Sequence, residues 1–387
     1  MATLERLARG TGAPIRWTVS YLLPPMKNWQ ETSRILRILA QLVEQGRAAA
    51  LATVVNVQGS AYRRAGAKML IEDDGTTAGS VSGGCLEADV REVALSVIRY
   101  GSPRLLHYDT GTDDQSPFAV GLGCNGAVDI LVQRANGPDL LKTTSRVMQL
   151  LRGDSAFAVS TVVRGATGVG RSLIVDLHGR MTGSTGDAKL DRAVITHARD
   201  RLDAGDSQLY NVGAYQVFTE VQLPPPSLLV FGAGEDTRPL VAFAADVGFR
   251  VTVVDHRPAH LTADHYPPDT RLIEARSDSD LSALRLGPRS YAVVKNHSLE
   301  LDREWVRRLL ESEVSYIGVL GPRVRVEEML GELDAADDDR VFGPVGLDLG
   351  ADGPEQIAVS IVAELLALIS DREPRHLRQK EGAIHGY

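Results

Sequence analysis

The fold of the C-terminal half is decided by the sequence LLVFGAG at residues 228–234 and by RVTVVD at residues 250–255. Both contain a short apolar run, which is typical of a buried strand. Gly232 permits a tight turn into a helix that we expect to continue through Val247, and Gly234 lets a pyrophosphate approach that helix's N-terminus. Together they predict a Rossmann-like, doubly wound parallel sheet.

Asp255 ends the second strand, 23 residues after Gly232, where it is placed to accept hydrogen bonds from a ribose. Its carboxylate would repel a 2′-phosphate, so the pattern favours NAD over NADP as a cofactor. The third glycine of a dinucleotide-binding turn is replaced by Thr237. A sheet with a glycine turn and no ligand is therefore the alternative to NAD binding.

A candidate ligand contact follows the fourth predicted strand of this half. The further strands are predicted at 271–273, 291–294 and 316–320. Asn296 and His297 come directly after the strand at 291–294, at the edge where parallel sheets bind ligands, although a histidine there is also common as a capping residue. The glycine-rich segment 343–350 precedes a predicted helix at Pro354–Ile369, which has proline in its first turn.

The N-terminal half contains an internal repeat with an offset of 104 residues. Gly75 matches Gly179, and Leu86 matches Leu190, with conservative matches between. The pattern predicts a duplicated β-β-α-β unit, with copies at about 47–135 and 155–223. We divide the chain into an N-terminal extension (1–26), an α+β module (27–223), a stiff proline linker (224–226) and the Rossmann-like domain (227–387).

Both cysteines lie in loops where the first copy departs from the second. SGGC at residues 82–85 precedes a predicted helix, whose N-terminus favours a thiolate, and GLGCNG at 121–126 is a second glycine-rich loop. The two loops and nearby basic residues predict a pocket for an anionic, sulfur-compatible ligand. Two turns with small buried cysteines are the alternative. The candidate residues are Arg63, Lys68, Ser82, Gly83, Gly84, Cys85, Gly123, Cys124 and Asn125.

Composition excludes several classes of protein. The chain carries 42 Lys and Arg against 50 Asp and Glu, a net charge of −8, and has no basic stripe, which argues against nucleic-acid binding. Two cysteines in 387 residues exclude a disulfide scaffold and indicate a reducing, cytoplasmic location. No apolar run approaches the length of a membrane-spanning helix, so no membrane partner is expected.

In combination, these motifs resemble the XdhC/CoxI family of xanthine dehydrogenase accessory proteins. The N-terminal resemblance lies in GSAYRRAGAKML at 59–70, GSVSGGCLE at 79–87 and GLGCNG at 121–126. The C-terminal resemblance lies in the turn at 232–234, Asn296-His297 with Asp302, YIGVLGPR at 316–323, and the segment 343–350 with PEQIA at 354–358.

The resemblance implies a role in the maturation of molybdenum hydroxylases. Family members bind the molybdenum cofactor (molybdopterin), protect it while its terminal sulfido ligand is installed, and deliver it to the apoenzyme. The implied partners are an apo molybdenum hydroxylase of the xanthine dehydrogenase type and a cysteine desulfurase, and we expect a homodimer. Cys85 and Cys124 are then candidate molybdenum ligands, and no catalytic residue is assigned.

Two other functional classes stay open at this point, an NAD-dependent oxidoreductase and a structural subunit of a hydroxylase complex. Two cysteines cannot build a four-thiolate iron–sulfur cluster, which argues against the first. Because glycine-rich loops end strands in both halves, we expect one cleft in which Cys85 and Cys124 lie opposite His297, within one chain or across two subunits.

Overall fold

The N-terminal half forms two β-sheets of the same topology. The structure is a computed structural model that describes residues 28–59, 62–109 and 126–381. The elements of the first copy are α1 (Asn28–Glu44), β1 (Ala49–Gly59), β2 (Lys68–Glu72), β3 (Thr77–Gly79), α2 (Glu87–Tyr100), β4 (Arg104–Asp109) and β5 (Gly126–Arg134). Those of the second are α3 (Pro138–Leu151), β6 (Phe157–Arg164), β7 (Ser172–Asp176), β8 (Met181–Gly183), α4 (Ala188–Ala204), β9 (Gln208–Val212) and β10 (Tyr215–Gln222).

The predicted duplication is confirmed by the strand order. The first antiparallel sheet runs β3-β2-β1-β5-β4 and the second runs β8-β7-β6-β10-β9. Helix α2 packs on one face of the first sheet, and α4 packs on the matching face of the second. Gly101 and Gly205 end these two helices in left-handed conformations, at equivalent positions of the repeat.

The other faces of the two sheets meet in the middle of the module. Val55 and Leu131 of the first sheet pack there with Val163 and Phe218 of the second. Helices α1 and α3 contact each other and share a further core cluster beside this interface. The order of layers is therefore helix, sheet, sheet, helix, with α1 and α3 along the side.

A buried ion pair joins the two copies. The ammonium of Lys68 on β2 lies 2.5 Å from a carboxylate oxygen of Glu220 on β10, and both side chains are 8% exposed. Lys68 also donates to the carbonyl of Gly66, and Gln222 donates to the same Glu220 oxygen. Because this charged pair is excluded from water, each partner depends on the other.

The C-terminal half is the predicted Rossmann-like domain. Its elements are β11 (Ser227–Phe231), α5 (Thr237–Val247), β12 (Arg250–Asp255), β13 (Arg271–Glu274), β14 (Ser290–Val294), α6 (Leu299–Leu310), β15 (Tyr316–Val319), α7 (Arg323–Glu332), β16 (Val341–Phe342) and α8 (Pro354–Ile369). The six strands are parallel, in the order β13-β12-β11-β14-β15-β16. This arrangement leaves a crevice at the carboxyl ends of β11 and β14, where the order of connection reverses.

Helices cover both faces of this sheet. Helices α5 and α8 pack on one face and α6 and α7 on the other. Helix α5 begins at Thr237, later than expected, because the chain makes a further turn after Gly234 in which the Thr237 amide donates to the Gly234 carbonyl. No described helix combines the length and apolar character that a bilayer span requires.

The two halves contact each other at the amino-terminal edge of the parallel sheet. Asp154, which follows α3, forms ion pairs with Arg250 and Arg285. Arg250 is the first residue of β12, and Arg285 precedes β14. Arg289 donates to the carbonyl of Pro224 in the linker. These contacts lie on the edge opposite to the crevice.

The buried ion pair generates a prediction about stability. The substitution Lys68→Met leaves the Glu220 carboxylate buried without its cation, so we expect the free energy of unfolding to fall by about 3–5 kcal/mol. The double variant Lys68→Met/Glu220→Gln removes both charges and should recover most of this loss. Urea unfolding followed by circular dichroism measures both. A single variant as stable as the parent chain would show that the pair does not hold the copies together.

Candidate functional site

The loop before α2 is organised around an internal anion. The carboxylate of Glu87 accepts hydrogen bonds from the hydroxyls of Ser80 and Ser82. The backbone amides that donate to the same carboxylate are those of Val81, Ser82, Gly83, Gly84 and Leu86. The sequence predicted a pocket for an anionic ligand at this loop. The backbone amides do converge on an anion, but that anion is the chain's own side chain.

The ionised form of the Glu87 carboxyl group is strongly favoured in this position. Burial alone would raise the pKa of Glu87, but hydrogen bonds from Ser82 and Ser80 outweigh it and lower the pKa to about 2. The second copy repeats the device, since the Asp191 carboxylate accepts from the Thr185 amide and hydroxyl and the Ser184 hydroxyl. The loop is therefore held in one conformation before any ligand arrives.

Cys85 is exposed at the end of this organised loop. Gly83 has φ of +85°, and a Cβ there would lie 2.5 Å from the ring of Tyr62, so the 62–63 segment runs against the loop. The other loop residues of the predicted pocket, Gly123, Cys124 and Asn125, lie outside the described residues. Among the described ranges, no group of three His, Cys, Asp or Glu side chains is placed to hold a metal.

The two basic candidates near the loop are engaged by carboxylates. Arg63 lies 2.5 Å from both carboxylate oxygens of Glu31 on α1, with both side chains partly exposed. Lys68 is buried against Glu220, as described above, so its ammonium neutralises an internal charge. Of these two basic residues, Arg63 is the one with surface access.

The structure brings the glycine turn of the Rossmann-like domain together with the end of β14. Gly232 has φ of +117°, and a Cβ there would lie 2.8 Å from the carbonyl oxygen of Lys295. At Gly234 a Cβ would lie 3.5 Å from Nε2 of His297 and 2.6 Å from a carboxylate oxygen of Asp236. His297 and the turn therefore lie side by side at the crevice.

Lys295 is the residue at this site that sequence reasoning missed. Its ammonium is 2.8 Å from the Asp236 carboxylate and donates to the Thr237 hydroxyl at 2.9 Å. The side chain is 3% exposed, and burial lowers the pKa of Lys295, against the opposing effect of Asp236. A lysine that directly follows the apolar residues of β14 was the available signal in the sequence.

Asp255 is placed at the crevice, but its carboxylate is already occupied. The Ala233 amide donates to one oxygen, and the backbone and side chain of Arg257 donate to both. Burial would raise the pKa of Asp255, but these bonds lower it to about 2. Because Arg257 adds positive charge beside the carboxylate, the expected discrimination of NAD against NADP loses its electrostatic basis.

A second buried carboxylate fixes the segment that carries His297. Asp302 on α6 accepts from the backbone and side-chain amides of Asn296, and Arg325 on α7 donates to it at 2.8 Å. Burial raises the pKa of Asp302 to about 6, partly offset by these hydrogen bonds. Asn296 and Asp302, which the sequence placed near the site, therefore position His297 rather than present free polar groups.

The crevice fits a dinucleotide poorly. A pyrophosphate would bind at the N-terminus of α5, where the carboxylate of Asp236 lies against Gly234. The ribose acceptor, Asp255, accepts four hydrogen bonds from the protein, which is about the capacity of a carboxylate. The carboxylates of Asp236 and Asp255 favour a hydrogen-bond donor at the crevice over a phosphate.

Within the part of the chain that the structure describes, the contacts between the two halves do not form the expected single cleft. The N-terminal module contacts the amino-terminal edge of the parallel sheet, through Asp154. The turn at Gly232 and His297 lie at the other edge, about 17 Å away for strands of five residues. None of these described ion pairs and hydrogen bonds between the two halves involves the Cys85 loop.

Two family models match this chain. Residues 42–109 and 150–213 match the model described as the XdhC and CoxI family. Residues 228–365 match the model described as the XdhC Rossmann domain. The matched segments include the first-copy loop with Cys85 and the crevice with His297.

Individual relatives match most of the length of this chain. A protein of Bacillus subtilis, named as a probable subunit of xanthine dehydrogenase, is 34% identical over 329 residues, which cover 85% of this chain and 96% of that protein. The molybdenum cofactor insertion chaperone PaoD of Escherichia coli is 23% identical over 342 residues, covering 86% and 87%. A crystal structure described as a xanthine dehydrogenase from Bacillus halodurans has a TM-score of 0.70 and 30% identity, covering 90% of this chain and 98% of that one.

The organised loop predicts a specific dependence of stability on pH. The folded-state pKa of Glu87 is about 2 against 4.5 for an ordinary glutamate, so its stabilisation is present above pH 4.5 and lost as the pH falls towards 2. We expect Glu87→Gln to be less stable at neutral pH by about 1–2 kcal/mol, a value discounted for solvent screening.

Urea unfolding at a series of pH values measures this contribution as the difference in the free energy of unfolding between the parent chain and Glu87→Gln. The difference should shrink below pH 4.5. Glu92→Gln, an exposed glutamate on the same helix, is the matched control and should follow the parent. Parallel profiles for parent and Glu87→Gln across the whole range would contradict the internal-anion interpretation.

From the residues of the crevice we expect the chain to bind dinucleotides weakly, and we expect one substitution to tighten this binding. Asp236→Asn removes the carboxylate beside Gly234, so we expect it to tighten the binding of NAD and NADP at least tenfold. Glu235→Gln, at an exposed acidic neighbour, should change affinity less. Calorimetric titration measures both. Saturable micromolar binding of NAD by the parent chain would show that Asp236 does not exclude the pyrophosphate.

Proposed function

Since the chain belongs to the XdhC and CoxI family, we propose that it binds the molybdenum cofactor, protects it and inserts it into an apo molybdenum hydroxylase of the xanthine dehydrogenase type. The relationship to PaoD, named as a molybdenum cofactor insertion chaperone, supports the insertion role. In this proposal the cofactor is cargo, and the chain is not itself an oxidoreductase.

The observation that carries the proposal is the exposed thiol of Cys85 on a pre-organised loop. The loop's amides are satisfied by Glu87, so the loop presents the thiol without needing a ligand to order it. A thiolate is a ligand suited to a soft metal centre. The equivalent position in the second copy is Lys189, so this chemistry belongs to the first copy alone.

Arg63 is a basic residue with surface access near this thiol. It follows Tyr62, whose ring lies against Gly83, and its charge is only partly screened by Glu31. A phosphate of the cargo would compete with Glu31 for this guanidinium. We therefore propose that Cys85 contacts the metal end of the cargo and Arg63 its phosphate end, with Cys124 as a second candidate ligand.

The partners follow from this role. A cysteine desulfurase would supply the sulfur for the cofactor's terminal sulfido ligand, and an apo hydroxylase would receive the completed cofactor. We propose a homodimer in which the first-copy loop of one protomer lies opposite the crevice of its partner. The location of the described contacts between the two halves, at the edge of the parallel sheet opposite to the crevice, supports that arrangement.

A structural component of a hydroxylase complex is the second candidate, favoured by the name of the Bacillus subtilis relative. The two candidates differ in whether the isolated chain carries cofactor. Purification of the chain without air, followed by metal analysis and pterin fluorescence, distinguishes them. A chain that carries neither molybdenum nor pterin would favour the structural role.

The thiol predicts the outcome of a cysteine scan. Cys85→Ser removes the proposed ligand from an exposed loop position, so we expect the bound molybdenum to fall at least fivefold with little change in stability. Cys124→Ser and the double variant test the second cysteine. Lys189→Ser, at the equivalent position of the second copy, is the matched control and should carry the parent's amount. Full molybdenum content in the double variant would refute a thiol ligand.

A further inference from the structure

The carboxylates of the crevice differ in how many further hydrogen bonds they can accept. Asp255 accepts four from the protein, and Asp302 accepts three. One oxygen of Asp236 is paired with the ammonium of Lys295, and within the described part of the chain no hydrogen bond reaches its other oxygen, Oδ1. Because a carboxylate accepts about four hydrogen bonds, Asp236 keeps most of its capacity for a ligand.

Groups at the end of β14 and the start of α5 hold Asp236 in place. The ammonium of Lys295 lies 2.8 Å from Oδ2 of Asp236 and also donates to the hydroxyl of Thr237 at 2.9 Å. That hydroxyl in turn donates to the carbonyl of Gly232 at 2.7 Å. The Lys295 side chain is 3% exposed, and Thr237 is fully buried. The carboxylate is therefore fixed to the glycine turn before a ligand arrives, which lowers the entropic cost of binding.

Asp236 and His297 are accessible from solvent at the same point of the crevice. The Asp236 side chain is 34% exposed, and His297 is exposed. A Cβ at Gly234 would lie 2.6 Å from Oδ1 of Asp236 and 3.5 Å from Nε2 of His297, so both atoms border the same small space. A side chain at position 234 would displace the carboxylate. Glycine at this position therefore lets the carboxylate and the imidazole lie next to each other.

The charges at this point of the crevice favour a neutral ligand. The carboxylate of Asp236 repels a phosphate, as argued above for a dinucleotide. A cationic ligand gains little, because the Lys295 ammonium already balances this carboxylate from 2.8 Å. A neutral ligand with N–H groups meets neither repulsion, and its N–H groups form charge-assisted hydrogen bonds to the carboxylate. Two adjacent N–H groups on one ring edge match the two oxygens of a carboxylate.

We propose that the crevice binds a neutral ring of the 2-amino-4-oxopyrimidine type, whose exocyclic amine and adjacent ring N–H donate to Asp236. Guanine and the pterins share this ring edge. The imidazole of His297 borders the bound ring. Under the proposed function the occupant is the pterin of the molybdenum cofactor, and this choice between the two sources rests on that function. The metal end of the cofactor would then lie at the Cys85 loop of the second protomer.

Titration of the full chain, freed of any bound cofactor, with pterin and with lumazine tests the proposed contact. Lumazine has the same two fused rings, but an oxygen replaces the exocyclic amine, so an acceptor would face the Asp236 carboxylate. We expect saturable binding of pterin and at least tenfold weaker binding of lumazine. Equal affinities for pterin and lumazine would overturn the proposal.

Guanosine and inosine form a second pair of probes that differs by the same exocyclic amine. The ligand with the amine should again bind at least tenfold more tightly than the ligand without it. Tighter binding of pterin than of guanosine identifies a pterin as the occupant, and the reverse order identifies a guanine nucleoside. Absence of saturable binding for both pterin and guanosine would contradict the proposal.

The substitution Asp236→Asn separates recognition from a structural role. It replaces one carboxylate oxygen with an amide that donates, so we expect pterin binding to weaken at least tenfold. The same variant is expected above to tighten the binding of NAD, and opposite changes for the two ligands exclude a general disruption of the crevice. Glu235→Gln, at a neighbouring carboxylate that is 89% exposed, is the control and should bind pterin as the parent chain does. Unchanged pterin affinity in Asp236→Asn, or weaker binding of both pterin and NAD, would refute the assignment.

The outcome of these titrations is independent of the proposed function, because free pterin carries neither metal nor phosphate. A chain that is purified with molybdenum but binds neither pterin nor guanosine keeps the proposed function and excludes this site. A chain that binds pterin through Asp236 but carries no molybdenum keeps the site in the crevice and excludes the role in cofactor insertion.

Discussion

The buried pair of Lys68 and Glu220 is the constraint on which the N-terminal module depends. Each charge comes from a different copy of the repeat, so neither sheet can leave the other without exposing an apolar face and separating the pair. In the other direction the equivalent residues, Ser172 and Gln133, are uncharged, and Ser172 bonds Thr161 instead. This asymmetry closes one side of the interface and leaves a cavity on the other.

The chain repeatedly supplies its own anion where a ligand's anion would be expected. Glu87 occupies the amides of the first-copy loop, Asp191 does the same in the second copy, and Asp236 lies at the N-terminus of α5. Backbone amides and a helix dipole attract negative charge from any source, including a neighbouring side chain. Glycine-rich loops in this protein therefore mark rigid, internally neutralised turns, and recognition depends on the side chains that they present.

Much of the architecture could be predicted from local patterns. The strands that start at Leu228, the helix at Pro354–Ile369 and the repeat offset all correspond to observed elements, because hydrophobic periodicity and turn glycines act over a few residues. Helix α3 and strand β4 were not predicted. The apolar face of α3 is present in the sequence, whereas the buried and exposed residues of β4 alternate only weakly. His297 could be placed beside the glycine turn because the carboxyl ends of parallel strands share one edge.

Local sequence patterns were enough to predict the duplicated unit, the parallel sheet, the family and the position of Cys85 in a first-copy loop. Which charges are available to a ligand depends on tertiary packing, because partners distant in the chain take them: Glu220 neutralises Lys68, and Glu31 binds Arg63. Tertiary packing also decided that the crevice and the N-terminal module lie at opposite edges of the parallel sheet. Side-chain pairing between distant segments depends on packing geometry, which no local sequence pattern encodes.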